Sequence, residues 1–482
     1  MINSLSKDEI RSFGYQIIDL IADDISATGI RPPWPSQENA QRVKSYFNEA
    51  IPEHGTSVNE LMELISSVVL PASPNHNHPD IFAHVNASSI VTSALVDTIV
   101  SSLRLYTYNW SMSPASTQIE LCVIRWLGQF IGYNNDSAGY VASGGTTANL
   151  SALLTARTVQ VGPTINRDGV YSTKQLTAYV SESGHGCLDQ SFRMMGLGDS
   201  SLRKIPVDSD FKIRVDLLRQ KINDDIAQGC QPFCIIGIAG STDTGSVDDL
   251  LALSLVAKEY GLWFHIDGAY GAFAASTVSD KDKFIGLTEA DSVVCDPHKW
   301  LNIPLGVGVL LVKDWNHLKE TFSIEISTLK SVNSSLDHNQ WEYGFELTKS
   351  DRALKVWFAI KQYGSKSFQE MIQYHIDLTQ YLAEKIRETK SLNLFIEPNL
   401  SICCFRYCVP DLDNQGIDDL NALIAKKICL DGNSVISTTV INGRLVLRSC
   451  IVSSKITENN VDELLGRVVE YGDLLSAEVA EQ

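Results

Sequence analysis

The chain has 482 residues, and 39 Lys and Arg against 57 Asp and Glu give a formal charge of −18. An apolar share of 44% and a charged share of 20% belong to an ordinary globular protein with ample length for a core. The acidic excess argues against a nucleic-acid backbone or an anionic membrane as the main partner.

From the N-terminus, Ser6 and Glu9 form a capping-box pattern, and Ile10, Phe13, Ile17 and Leu20 recur at helical spacing. A break at Pro32, Pro33 and Pro35 precedes a second helical run, Val58 to Val69, which ends at Pro71 and Pro74. Residues 1–90 are therefore expected to be a helical extension that packs on a second subunit or on the body of its own chain. The opening MINSLSKDEIRSFGYQ lacks a basic stretch followed by an apolar one, and runs such as Leu305 to Val312 are too short to cross a bilayer. Cys122, Cys187, Cys230, Cys234, Cys295, Cys403, Cys404, Cys408, Cys429 and Cys450 form no CxxC pair and no zinc spacing. The expectation is a soluble cytoplasmic protein with reduced thiols and no metal.

From about residue 91, short apolar runs alternate with helical stretches. The strands expected are Leu176–Ser181, Phe233–Ala239, Leu262–Ile266, Ser292–Cys295 and Gly306–Val312. Asp248 and Asp249 open the helical run LLALSLVAKEY, and Gly261 stops it. This repetition predicts an α/β domain over 91–365, a mainly parallel sheet covered by helices. Residues 366–482 read as a smaller α+β domain, with strand-like Ile402–Tyr407 and Leu445–Arg448. Its terminal helix is capped by Thr457 and buries Val461, Leu464, Leu465 and Val468.

In a parallel sheet, ligands bind beyond the carboxyl ends of the strands. Polar clusters stand at those ends: Ser181–His185, Gly240–Gly245, Asp267–Tyr270 and Asp296–Trp300. The turn Ser143–Asn149 runs into a helix whose free N–H groups suit a phosphate, and it is neither GxGxxG nor a Walker loop. Lys299, desolvated and near other cations, would lose its proton and form an imine with a carbonyl. His298 would point the opposite way if the segment stays extended. A buried carboxylate at Asp267 needs a positive partner such as a protonated pyridine nitrogen, and His185 offers a planar ring for stacking. Each of these residues alone also has a plainer reading: a surface lysine, a helix cap, a hydrogen-bonded turn histidine.

Taken in order, SGGTTANL, SxxxH, HIDGAYG and DPHKW resemble the group II pyridoxal 5′-phosphate (PLP) dependent amino-acid decarboxylases. That group includes the aromatic-L-amino-acid, histidine, glutamate and cysteine-sulfinate enzymes. The resemblance runs from NHPDIFAHVNA through NWSMSPASTQIE, which is more like the aromatic branch than the glutamate branch, to LRSCIVSSKITENNVDELL. It implies the fold of the aspartate aminotransferases (fold type I), a homodimer, and decarboxylation of an aromatic or related L-amino acid to its amine. Under that resemblance Lys299 holds PLP as an aldimine and a quinonoid follows loss of carbon dioxide. Asp267 pairs with the ring nitrogen, Ala269 and His185 cover the two ring faces, Gly145, Thr146 and His298 hold the phosphate, and Thr242 and Asp296 support them.

Two places depart from the family pattern. Enzymes of the aromatic branch carry a loop tyrosine before the RxLKxW helix; counting back from Arg352 puts Gln340 there, with Tyr343 and His338 close by. In this family a change of that tyrosine is associated with oxidative deamination to an aldehyde, so an aldehyde synthase, or other PLP chemistry, is the alternative. A non-catalytic homologue is a third reading, against which the joint presence of Lys299, Asp267 and His185 counts. His84, Asn86 and Tyr108 replace more apolar pocket residues and imply a more polar substrate pocket. His76 and His78 in NHNHP are expected to lie in a solvated loop, not to bind metal.

Overall fold

The computed structural model describes residues 5–85, 87–324, 338–410 and 412–480. Asn86 and the loop residues 325–337 lie outside them. The chain divides into two compact units, a larger one of Val85–Gln380 with Glu397–Cys403, and a smaller one of Met1–His84, Tyr381–Ile396 and Cys404–Gln482. Both the N-terminal extension and most of the C-terminal section expected from sequence thus contribute to one unit.

The larger unit is built on seven strands: β1 (Ala138–Ala142), β2 (Leu176–Ser181), β3 (Leu202–Ile205), β4 (Gln231–Ile238), β5 (Trp263–Asp267), β6 (Ser292–Cys295) and β7 (Gly308–Val312). They lie in the order β1-β7-β6-β5-β4-β2-β3. β7 runs antiparallel to both its neighbours, while β6, β5, β4, β2 and β3 are mutually parallel. The ends of β1, β2, β4, β5 and β6 therefore open on one rim. Helices α1 (Gly145–Val161), α2 (Gly186–Met194) and α3 (Leu250–Tyr260) follow β1, β2 and β4, and α4 (Trp315–Phe322) follows β7.

Local chemistry explains these elements. Every residue of β2 and β5 is buried, which is why they read as continuous apolar runs instead of alternating ones. Asp249 caps α3 by accepting from the Ala252 N–H, and Gly261 ends it in the left-handed conformation at φ +67°. Two strands carry no clear sequence signal. β1 is rich in small residues because Gly139 packs against the Leu310 carbonyl of β7, leaving no room for a Cβ. β3 contains Arg203 and Lys204 because it is an edge strand, where Arg203 pairs with the fully buried Asp225.

In the smaller unit a four-stranded sheet runs in the order Leu392–Leu394, Ile402–Tyr407, Arg444–Cys450, Ser437–Ile441. The segment Ile81–Ala83 joins it: the Phe82 N–H donates to the Val435 carbonyl, and the Phe82 carbonyl accepts from the Cys450 N–H, both at 2.8 Å. The terminal helix Glu458–Ala480 buries Val461, Leu464, Leu465 and Val468 as its periodicity predicts. Helix Lys7–Ser26 has the predicted capping box yet buries no residue, leaving Ile10 and Tyr15 more than half exposed. The run from Val58 is α-helical to Leu64 and widens to a π-helical turn over Ile65–Val69.

The NHNHP segment is not a solvated loop. Asn75 and His78 are buried, His78 Nδ1 accepts from the Asp80 N–H at 3.1 Å, and the Asn75 amide donates to the Arg31 carbonyl at 3.1 Å. These side chains satisfy backbone groups of the turn and of Arg31, so burial is tolerated.

Phe82 is fully buried. Phe82→Ala should destabilise the smaller unit by about 3–5 kcal/mol, read by urea denaturation. A loss below about 1 kcal/mol would contradict the placement of Ile81–Ala83 in that sheet.

Candidate active site

The rim is shaped by one turn. After β6, Asp296-Pro297-His298-Lys299 closes with the Lys299 N–H donating to the Asp296 carbonyl at 2.9 Å. Aspartate first and proline second is a favoured turn sequence. The segment is therefore not extended, and His298 and Lys299 do not diverge: His298 Nε2 lies 3.9 Å and Lys299 Nζ 3.2 Å from the same oxygen of Asp296. His298 Nδ1 contacts the Val307 carbonyl, which orients the ring.

Asp296 is 1% exposed, and glycines admit it. A Cβ on Gly145 would lie 2.5 Å from Asp296 Oδ2; one on Gly308 would lie 2.5 Å from Oδ1 and 2.5 Å from the Gly144 carbonyl carbon. Gly145 also begins α1, whose first intrahelical bond runs from the Ala148 N–H to the Gly144 carbonyl. The N–H groups of Gly145 and Thr146 precede that bond and face outward with the positive end of the helix dipole. The Thr147 hydroxyl is occupied, donating to the Gly144 carbonyl at 2.8 Å.

Asp267 ends β5, beside β6, and is 7% exposed; its Oδ1 accepts from the Ala269 N–H at 3.2 Å. The Ala269 carbonyl accepts from the Asp296 N–H at 3.1 Å, tying the two strand ends together. His185 is the N-cap of α2, its Nδ1 accepting from the Cys187 N–H at 3.1 Å. Burial pushes the Cys187 thiol up to about 12; Asp267 adds to this and Lys299 opposes it, which places α2's first turn within the field of both. Thr242 is exposed in the turn after β4, closed by the Gly245 N–H on the Ser241 carbonyl.

Lys299 differs from its sequence-based expectation. Burial pushes its ammonium pKa down, but Asp296 and then Asp267 outweigh this and hold it above the ordinary lysine value. Its charged neighbours are carboxylates, not cations.

The remaining candidates lie elsewhere within the chain. β7 ends at the rim opposite Asp296, because Val312 pairs with Ser292, the first residue of β6; α4 starts there. Tyr343 and His338 stack on each other at 4.2 Å and both pack edge-on against Trp315 of α4. Burial pushes Tyr343 up to about 12 and His338 down to about 4. In the single chain neither meets Lys299. Gln340 is 1% exposed, with no partner for its amide among the described residues. Tyr108 is half-buried, and its carbonyl accepts from the Trp341 N–H at 3.2 Å. His84 belongs to the smaller unit, exposed at φ +62° with its ring 6.4 Å from Trp34.

Sequence reasoning passed over a buried pair beneath the cradle. Lys349 Nζ contacts Glu120 and donates to the Val141 carbonyl at 2.9 Å, while Glu120 Oε1 accepts from the Val141 N–H at 3.1 Å. The two residues are 229 positions apart, so no local spacing marks them.

The chain belongs to the pyridoxal-dependent decarboxylase family, whose conserved-domain model matches residues 40–408. It is 29% identical to an aromatic-L-amino-acid decarboxylase of Bacillus atrophaeus, over 98% of this chain and 97% of that one. It is 24% identical to a phenylacetaldehyde synthase of Arabidopsis thaliana, over 95% and 94%. Its fold matches the crystal structure of Oryza sativa TDC with PLP and tryptamine at a TM-score of 0.92 and 22% identity, covering 98% and 100% of the two chains. The chain is thus a PLP-dependent carboxy-lyase of fold type I.

The rim fits that cofactor: an anion cradle walled by glycines, a lysine, and a buried carboxylate for a cationic ring. Gly308→Val should weaken PLP binding by at least tenfold in an absorbance titration, because the added Cβ meets Asp296 and the Gly144 backbone. Unchanged affinity would separate the glycine wall from the cofactor site.

Proposed function

We propose that the protein decarboxylates an aromatic or related L-amino acid to its amine, as a cytoplasmic homodimer, with Lys299 as the residue that carries PLP. The observation that carries this reading is the meeting of Lys299, His298 and the glycine-walled α1 terminus around one buried carboxylate, Asp296. The exposed apolar residues of helix Lys7–Ser26 support the homodimer, and ten free cysteines, six of them buried, support a reducing compartment.

Bound PLP supplies a carbonyl for the substrate amine and a conjugated ring that accepts the electron pair released with carbon dioxide. The Gly145 and Thr146 N–H groups, with His298, would hold the phosphate. Asp267 would keep the ring nitrogen protonated, and His185 and Ala269 would cover the ring faces, with Thr242 supporting. Lys299 must shed a proton before its amine can attack, and Asp296 opposes that loss. With PLP held there, the Lys299 amine would serve as a base toward the substrate, and Asp296 would stabilise its charged form. The substrate's scissile bond is oriented by pocket residues, for which Tyr108, His84 and Asn86 are the candidates.

A second reading, decarboxylation with oxidative deamination to an aldehyde, is favoured by one feature: the amide of Gln340 stands at the gapless position of the family tyrosine. Tyr343, the nearby tyrosine, is packed on Trp315 within its own chain.

Mass spectrometry of products from a panel of L-amino acids, with dissolved oxygen recorded, tests both. An amine without oxygen loss is expected, and Lys299→Ala should abolish it. An aldehyde with oxygen uptake would establish the second reading, and turnover by Lys299→Ala would refute the lysine's role.

The raised Lys299 pKa makes PLP uptake by the apoprotein pH-dependent. The ammonium must deprotonate to react, so the rate should rise with pH across the neutral and alkaline range. Asp296→Asn removes the main upward influence and should move that profile to lower pH. A profile unmoved in the variant would show that Asp296 does not govern the lysine.

A further inference from the structure

A buried hydrogen-bonded chain beneath the rim has no part in the roles above. Trp263 Nε1 donates to Ser292 Oγ at 2.8 Å, and Ser292 Oγ lies 2.8 Å from His265 Nδ1. His265 Nε2 lies 2.8 Å from Asn149 Oδ1, and Asn149 Nδ2 donates to Cys187 Sγ at 3.8 Å. His265 and Ser292 are fully buried, and Asn149 is 1% exposed.

The chemistry gives the chain a direction. An amide oxygen only accepts, so His265 Nε2 carries the ring proton. Nδ1 then accepts from the Ser292 hydroxyl, whose oxygen accepts the indole N–H. Every donor meets an acceptor around a neutral imidazole. Burial pushes the His265 pKa down to about 4, against a weaker upward pull from Asp267. A leucine could fill such a site without the cost of desolvating polar groups; a fully satisfied polar network instead holds its members in one arrangement.

The elements it joins are those that carry the site. His265 lies two residues before Asp267 on β5, so both side chains project from the same face of the sheet. Asn149 is one helical turn beyond Gly145 at the start of α1, and Cys187 is two residues after His185 at the start of α2.

We propose that His265 is a positioning residue for the cofactor: its Nε2–H bond to Asn149 sets the N-terminus of α1 at a fixed spacing from Asp267. This rests on the assignment of Gly145, Thr146 and Asp267 to PLP. A rigid ligand with a phosphate at one end and a ring nitrogen at the other gains from both anchors only when their spacing matches its own. Loss of the bond should therefore weaken a ligand held at both ends, and leave one held only at the ring little affected.

The test is titration of apoprotein with PLP and, separately, with pyridoxal, which lacks the phosphate, followed by the imine absorbance. Wild type is compared with His265→Leu, His265→Gln and His265→Asn, and far-UV circular dichroism monitors folding. The Gln amide reaches the Nε2 position and keeps the donor to Asn149; the Asn amide reaches only the Nδ1 position. His265→Leu and His265→Asn should lose about tenfold in PLP affinity, the worth of one buried hydrogen bond. Pyridoxal affinity should hold, and His265→Gln should restore PLP binding. Where His265→Leu fails to fold, the Gln and Asn variants, which differ by one methylene, carry the comparison.

Equal weakening of PLP and pyridoxal, or rescue by Asn as full as by Gln, would overturn the proposal. A wild-type preference for PLP over pyridoxal that survives undiminished in His265→Leu or His265→Asn overturns this role alone. A wild-type protein with no such preference overturns the phosphate assignment of Gly145 and Thr146 along with it.

Discussion

A carboxylate buried at the end of a central strand, Asp296, is the constraint around which the rim is arranged. Taking such a charge out of water is costly unless a cation stands close. Lys299 meets that need at 3.2 Å, and the proline turn that carries both residues delivers it. The backbone at Gly145 and Gly308 closes on the carboxylate to within distances that exclude any side chain. The same closeness brings the N-terminus of α1 and the ring of His298 to the lysine. Compensation of one buried charge thus gathers in one place the lysine and the helix terminus proposed to hold the cofactor.

Beneath this layer, two buried polar groupings hold the strands and helices in register. Lys349 and Glu120 both bond to Val141, two residues before the turn into α1, one to its carbonyl and the other to its N–H. Burial pushes the Lys349 pKa down while Glu120 pulls it up, so the lysine depends on its partner for its charge. The neutral chain through His265 does comparable work between β5, β6, α1 and α2. One grouping is ionic and the other uncharged, and both link residues far apart in sequence to the start of the same helix.

Much of the site could be read from the chain because its chemistry is local. DPHK is a turn sequence, the small residues of SGGTT permit a close backbone, and HID alternates as a strand does. The error concerned consequence: an extended reading of Asp296–Lys299 separated His298 from Lys299, although Asp-Pro at the first two positions already marks a turn. The charge environment of Lys299 was also misjudged, since which carboxylates face a side chain depends on strand order. β1 and β3 escaped notice for opposite reasons, one being filled with small residues to let another strand approach, the other being an edge that tolerates charge. The polar NHNHP segment resembled an exposed loop because composition does not reveal that its side chains bond to backbone groups, His78 to Asp80 nearby and Asn75 to the distant Arg31.

Periodicity, caps and turn residues act within a few positions, so the sequence alone determined the alternation of strands and helices, the candidate lysine, carboxylates and histidines, and the family to compare with. The tertiary structure alone decided that β7 reverses direction and carries α4 to the far rim. Tyr343 and His338 accordingly pack on Trp315, away from Lys299 of their own chain. It also decided that Ile81–Ala83 completes a sheet built mainly from the C-terminal section, and that Lys349 meets Glu120 and His265 meets Asn149. These pairings depend on the order and direction of strands in a sheet and on which buried polar group finds a partner. Both are settled by packing the whole chain at once.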